Sequence, residues 1–292
     1  MTAPAQTRTK FTELSARERA VALLDHGTFR ELIGPFERLE SPHLEPQGVV
    51  PASDDGVVVA RGQLDGDEAV VLAVEGRFQG GGIGEVSGAK IAGTLELALR
   101  DAERGRTVRP VLLLESGGIR LQEANLGLLA VAEIHAAIVA LRSHVPVVGV
   151  VAGMVGCFGG VAIAGGLCSY VIMTREGRLG LNGPQVIEQE AGVAELDSED
   201  RRLVWETIGG EQRVATGMVD ALVEDEVGAI AGAVRTAFDA GPPVVHRSSQ
   251  VERYEARLAG IGDLPGPLLG PYPLPLALDR LRVVTSHHID PM

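Results

Sequence analysis

An α/β fold with roughly parallel strands is predicted by three observations. Short β-rich runs alternate with segments of helical periodicity, successive strands end at glycine turns, and aromatic residues are scarce. Aromatics make up 3% of the 292 residues against 45% hydrophobic residues, so the core must be built from Ala, Val, Leu and Ile packed around small residues. This much apolar sequence supports one large core or two small ones and argues against disorder of the whole chain.

Ser15 and Glu18 have capping-box spacing ahead of Ala20, Leu23 and Leu24, which predicts a short helical arm before the core. From Val57 the runs VVVARG and AVVLAVEGRF predict neighbouring strands of one sheet. Ile91, Leu95 and Leu99 predict a helix over 87–104, and VRPVLLLES from Val108 a buried strand that ends at a glycine pair. The segment LGLLAVAEIHAAIVALRSH then predicts a long, mostly buried helix, and VPVVGVVAG from Val145 another core strand. A second turn, GCFGG, opens an Ala/Gly-rich helix before YVIM resumes the sheet. Past Asp197, EDRRLVWETIGGEQRVATGMVD and the stretch 227–240 predict helices, and Gly241, Pro242 and Pro243 mark a boundary. The expected organisation is a domain over 1–241 that includes the arm, and a tail over 242–292 that mixes a basic helix with the proline-rich LPGPLLGPYPLP.

Composition narrows the partners. A formal charge of −13 repels nucleic acid phosphates and anionic lipid, so neither is expected as a partner. Cys157 and Cys168 are the only cysteines, and without a closely spaced Cys/His quartet no metal site is expected. MTAPAQTRTKFTE has no apolar stretch behind its charges, and the apolar run Val145 to Met173 is broken repeatedly by glycines. A cytoplasmic protein that does not enter a membrane is expected.

Three glycine clusters could carry chemistry. In ESGGIRLQE (Glu115 to Glu123) a buried strand ends in Ser116, Gly117 and Gly118 before a helix, and two glycines let backbone approach a ligand. Unpaired N–H groups and the helix dipole then favour negative charge there. GMVGCFGGVAIAGG (Gly153 to Gly166) repeats the arrangement after the next strand. Alone, each also fits an ordinary tight turn or a closely packed helix. As a pair they can place one N–H each on a single thioester oxygen, as an oxyanion hole requires. The third cluster, FQGGGIGEVSGAK, breaks both nucleotide-binding spacings, because Ala89 separates Gly88 from Lys90 and Ser87 follows Gly82 and Gly84 where a glycine is needed. A loop near an acyl or pantetheine arm, with Lys90 available to a phosphate, is the alternative to a solvated helix residue. Ser116 lies outside any G-x-S-x-G elbow, and neither His135 nor His144 has a metal partner at helical spacing.

In order along the chain, GGIGEVSGAKI, SGGIRLQE, the GG of GCFGG and LGLNGPQVIE resemble the crotonase superfamily and, within it, the carboxyltransferase branch acting on acyl thioesters. ESGGIRLQEANLGL and NGPQVIEQEAG look like the β-subunit family of biotin-independent malonate decarboxylases. The resemblance implies a crotonase (ClpP-like) fold of repeated ββα units. It implies a first oxyanion donor at Ile119 or Gly118 and a second at Gly160, with Gly159 beside it. It further implies substrate contacts from Gly81, Gly82, Ile83, Gly84, Lys90, Ser116, Gly117 and Gln185. The two hydratase glutamates of the superfamily fall at Ile163 and near Gln185, which disfavours hydration. Two cysteines cannot form the four-cysteine zinc ribbon of acetyl-thioester carboxyltransferase β subunits.

The implied activity is decarboxylation of a malonyl thioester to acetyl thioester and CO2. The substrate rides on the phosphopantetheine-type arm of an acyl-carrier subunit, no cofactor is bound directly, and a γ subunit of crotonase type completes the site. The alternatives are the thioester half of a biotin-dependent carboxyltransferase and a catalytically silent partner subunit of the same fold.

Overall fold

Helix α1 (Ala16–Leu23) begins as its capping box predicts: Ser15 N–H donates to the Glu18 carboxylate at 2.8 Å, and Glu18 N–H donates back to Ser15 Oγ at 3.3 Å. This arm opens a computed structural model that describes residues 10–262. The chain then forms β1 (Arg30–Leu32), β2 (Val57–Leu64) and β3 (Asp67–Val74), which pair antiparallel in sequence order. Asp65 and Gly66 join β2 to β3 with φ of 57° and 82°, the left-handed pair of a two-residue hairpin turn.

From β3 onward every neighbouring pair is parallel: β4 (Arg109–Leu113), β5 (Val148–Val151), β6 (Tyr170–Thr174) and β7 (Ala221–Val223). The seven strands lie in sequence order across one sheet. The expectation of parallel strands thus holds from β3 to β7, and the hairpin makes β1 to β3 antiparallel. Helical crossovers link the parallel strands: α2 (Glu85–Glu103), α3 (Asn125–Leu141), α4 (Gly159–Leu167), then α5 (Pro184–Ala191), α6 (Arg201–Ile208) and α7 (Gly210–Ala215). Helices α8 (Val227–Asp239) and α9 (Val251–Gly262) follow the sheet.

Between strand and helix, single parallel bridges join Ile83 to Ile119, Ser116 to Cys157 and Cys157 to Leu179. They form a rudimentary second layer, so each unit reads strand, one-residue strand, helix, which is the expected ββα repeat. β4 and β5 are buried along both faces, consistent with their continuous apolar sequence.

Two local features depart from expectation. The stretch 199–220 is two helices, because Gly209 turns the chain where a Cβ would meet the Trp205 carbonyl at 2.4 Å. β1, β7 and α5 are short elements that local periodicity did not mark. As its glycines led one to expect, the apolar run from Val145 to Met173 breaks into β5, α4 and β6, and among the described residues no helix is long and apolar enough to cross a membrane. The proline-rich segment LPGPLLGPYPLP lies outside the described residues.

Candidate active site

The first turn follows β4. Its N–H groups are spent one after another: Ser116 donates to Gly156 O at 2.8 Å, Gly117 to Gly80 O at 2.8 Å, Gly118 to Ser116 Oγ at 3.1 Å and Arg120 to Ile83 O at 2.8 Å. Among the described residues the Ile119 N–H has no protein acceptor. Of the two expected positions for the first donor, Ile119 is therefore the one with an N–H to give.

The second turn repeats this at the start of α4. Cys157 N–H donates to Arg178 O at 2.8 Å, Phe158 N–H to Ser116 O at 2.8 Å and Gly159 N–H to Leu181 O at 2.8 Å. The helical ladder begins with Ala162 N–H on Phe158 O at 3.3 Å. Gly160 and Val161 consequently keep the orphan N–H groups of a helix start, where the dipole is positive.

The two turns touch. Gly118 and Gly159 have φ of 119° and 60°, and a Cβ on Gly159 would stand 3.1 Å from Gly118 Cα. Both the backbone conformation and the close approach require glycine here. The unspent N–H groups of Ile119 and Gly160 each sit one residue beyond these contact glycines. Gly117 is exposed and Ile119, Gly159 and Gly160 are half-buried.

The other expected contacts serve the first turn. Gly81 O accepts from buried Ser116 Oγ at 2.6 Å, and Gly82 O accepts from Arg120 Nη2 at 3.0 Å. Ile83 and Gly84 are buried, and a Cβ on Gly84 would meet the Glu123 carboxylate at 2.2 Å. The expectation that Lys90 is available to a phosphate is corrected: it is 4% exposed, and its ammonium donates to Asp54 O at 2.9 Å and to Val57 O. Burial pushes the Lys90 pKa down. Gln185 is exposed on the first turn of α5, and Ile163 is exposed on α4. Cys157 and Cys168 are buried, with the Cys168 thiol pushed up to about 12 by burial, so neither is a nucleophile. No cluster able to hold a metal ion occurs among the described residues.

Sequence reading missed the charges that hold this backbone in place. Arg120 Nη1 donates to both oxygens of Asp55 at 2.8 and 2.9 Å and to Glu123 at 2.7 Å, and Asp55 also accepts the Ser87 N–H at 2.9 Å. Burial pushes the Asp55 carboxyl up against the pull of Arg120. The i,i+3 spacing of Arg120 and Glu123 was a visible signal, whereas Asp55 is brought in from 65 positions away. His135 on α3 lies with Nε2 2.7 Å from Gly160 O, so that nitrogen carries the proton and donates. At the far end of α4, Cys168 O is held by His246 Nε2 at 2.9 Å and Arg247 Nη1 at 2.6 Å, and Leu167 O by Arg142 at 2.9 Å. Cationic donors there complement the dipole whose positive end meets the site.

Adjoining turns that leave the Ile119 N–H on one side and the Gly160 and Val161 N–H groups on the other thus sit on a ββα core, and the fold is the crotonase fold. The chain belongs to the carboxyl transferase domain family, whose profile matches residues 8–252. It is 43% identical over 227 residues to the malonyl-S-ACP:biotin-protein carboxyltransferase of Malonomonas rubra, covering 74% of this chain and 71% of the relative. Among solved structures it resembles a chain of the Pseudomonas malonate decarboxylase hetero-tetramer in complex with malonate. That match has a TM-score of 0.87 and 58% identity over 94% of this chain and 98% of the other. A chain of the MdcD-MdcE hetero-dimer of the Pseudomonas decarboxylase matches with a TM-score of 0.74 and 55% identity, over 86% and 97% of the two chains.

Proposed function

We propose that this chain is the β subunit of a biotin-independent malonate decarboxylase and releases CO2 from a malonyl thioester carried on an acyl-carrier subunit. One observation carries the reading: two turns abut at Gly118 and Gly159, and the next residue of each, Ile119 and Gly160, keeps its N–H free among the described residues. In the reaction the bond between C2 and the carboxylate carbon breaks, its electron pair moves into the thioester, and the oxygen becomes an enolate oxyanion. Two N–H donors match that charge where it develops. A proton then adds to C2 and gives the acetyl thioester. Breaking this bond requires no general base, in keeping with Ile163 and Gln185 at the positions where hydratases carry glutamates.

The half-buried donors and exposed Gly117 suit a thioester delivered at the end of a phosphopantetheine-type arm, which brings the substrate from the carrier subunit. Next to Gly160, packed helices α3 and α4 expose Leu128, Leu129, Val139 and Ile163. Such an apolar face supports a second crotonase-type subunit, the γ subunit, which would exclude water from the enolate. The likeness to the subunits of the Pseudomonas complexes supports the same assembly.

The likeness to the Malonomonas carboxyltransferase favours a second reading, in which the same enolate chemistry passes the carboxyl group to biotin. Co-expression with the γ subunit and assay of CO2 release from malonyl carrier protein with avidin present separates the two. Full activity in avidin is expected; its loss would reject the biotin-independent reading.

A further inference from the structure

One buried carboxylate joins the segments that precede the two donors. Glu115 stands directly before Ser116 in the first turn, and its Oε1 accepts the Val155 N–H at 3.2 Å from the loop that leads into α4. Its Oε2 pairs with Arg19 of α1, and the two side chains are 9% and 6% exposed. Arg19 is fixed in turn by donating to Phe11 O at 3.0 Å and Thr12 O at 3.1 Å. Glycines wall the carboxylate in: a Cβ would come within 2.6 Å of Glu115 at Gly76 and 2.0 Å at Gly153. From another side Arg178 donates to Met154 O and, at 3.2 Å, to Val155 O. An anion thus holds the Val155 N–H while a cation holds its carbonyl.

We propose that Glu115 is a positioning residue that sets the distance between the Ile119 and Gly160 donors, with Arg19 of the arm holding its carboxylate in register. The proposal rests on the enolate-stabilising reading above. Farther along, Ser116 N–H to Gly156 O and Phe158 N–H to Ser116 O tie the same two segments, each at 2.8 Å. These main-chain ties begin at Gly156, and the Glu115 to Val155 bond fastens the residue before it, so a buried side chain extends the clasp into the loop that leads to α4. Donors that must meet an oxyanion at hydrogen-bond distance lose rate steeply when misplaced by even an ångström.

Glu115→Gln keeps an acceptor for Val155 and removes the charge facing Arg19, whereas Glu115→Ala removes both. In the assembled complex we expect Glu115→Ala to lower kcat by roughly 10- to 100-fold with KM unchanged. Glu115→Gln should retain most of kcat although its melting temperature also falls. Val234→Ala, in the core of α8, controls for destabilisation alone and should leave kcat unchanged. Equal losses of kcat in the Gln and Ala variants, or wild-type kcat in the Ala variant, would overturn the proposal. Should Glu115→Ala fail to assemble, amide exchange of the wild-type complex decides: the Val155 N–H is expected to be protected, and exchange at the rate of an open loop would reject the clamp. A wild-type complex that released no CO2 would refute the decarboxylase reading and leave that exchange measurement to judge Glu115.

Discussion

The glycine loop at 80–84 and the glycine turns at 117–118 and 159–160 look alike in sequence and use glycine for opposite ends. In the loop, glycine makes room. Gly81 has φ of 67° and a Cβ there would lie 2.0 Å from Glu115 O, while the Gly80, Gly81 and Gly82 carbonyls are occupied by Gly117 N–H, Ser116 Oγ and Arg120. In the turns, glycine lets two backbones touch so that the next residue on each keeps its N–H free. Glycine content alone therefore says little about a site, and the fate of each backbone N–H says most.

Removing a donor tests this contrast most severely. Gly160→Pro deletes one N–H at a helix start, where proline is tolerated. A Cβ at Gly160 would, however, stand 2.5 Å from Val131 Cγ1, so the variant needs relief from Val131→Ala, and Val131→Ala alone is the reference. Turnover should fall by roughly 10²- to 10³-fold relative to that reference, with assembly preserved on gel filtration. Unchanged turnover would favour a silent partner subunit of the same fold.

Filling the loop should cost stability. Gly81→Ala combines left-handed backbone with a collision against main chain and is expected to lose about 3 kcal/mol in denaturant unfolding. Gly117→Ala, whose Cβ would find only Gly80 O at 3.3 Å, should lose less than about 1 kcal/mol. Similar losses for the two would erase the distinction between loop and turn.

Lys90 sharpens the comparison from the ligand's side. Its ammonium is spent on two carbonyls, so Lys90→Met should cost about 1–3 kcal/mol of stability and leave KM for the carrier thioester unchanged. A raised KM without loss of stability would return Lys90 to the ligand.

The smallest effect is a pH dependence at the far end of α4. Burial foremost pushes the His246 pKa below 6.5, and the ring accepts the Ser248 N–H at Nδ1, at 3.0 Å, while holding Cys168 O from Nε2. The unfolded chain takes up this proton at higher pH than the folded one. The stability contributed by neutral His246 is complete above about pH 6.5 and is lost as pH falls through the folded value. The fall in unfolding free energy on acidification should be shallower in His246→Gln than in the wild type.

Much of this molecule was readable in one dimension because its signals are local. The Ser15–Glu18 box, the buried runs that became β4 and β5, and the two glycine turns depend on neighbours a few positions away, and each lies where expected. Short elements such as β1 and β7 were not readable, since three residues carry no period and take their form from the strands beside them.

The sequence by itself determined the alternation of strand and helix and the places where glycine must stand at the strand ends. It narrowed the first donor to Ile119 or Gly118. In the tertiary structure the Gly118 N–H is taken by Ser116 Oγ, two residues back, while the acceptors of the Ser116, Gly117 and Arg120 N–H groups come from chain segments that folding brings alongside and the Ile119 N–H is left without one among the described residues. Folding also turned Lys90 inward and joined Glu115 to Arg19 and Val155. Periodicity records which way a residue faces, but which N–H is left over depends on contacts between distant segments, and no local pattern encodes those.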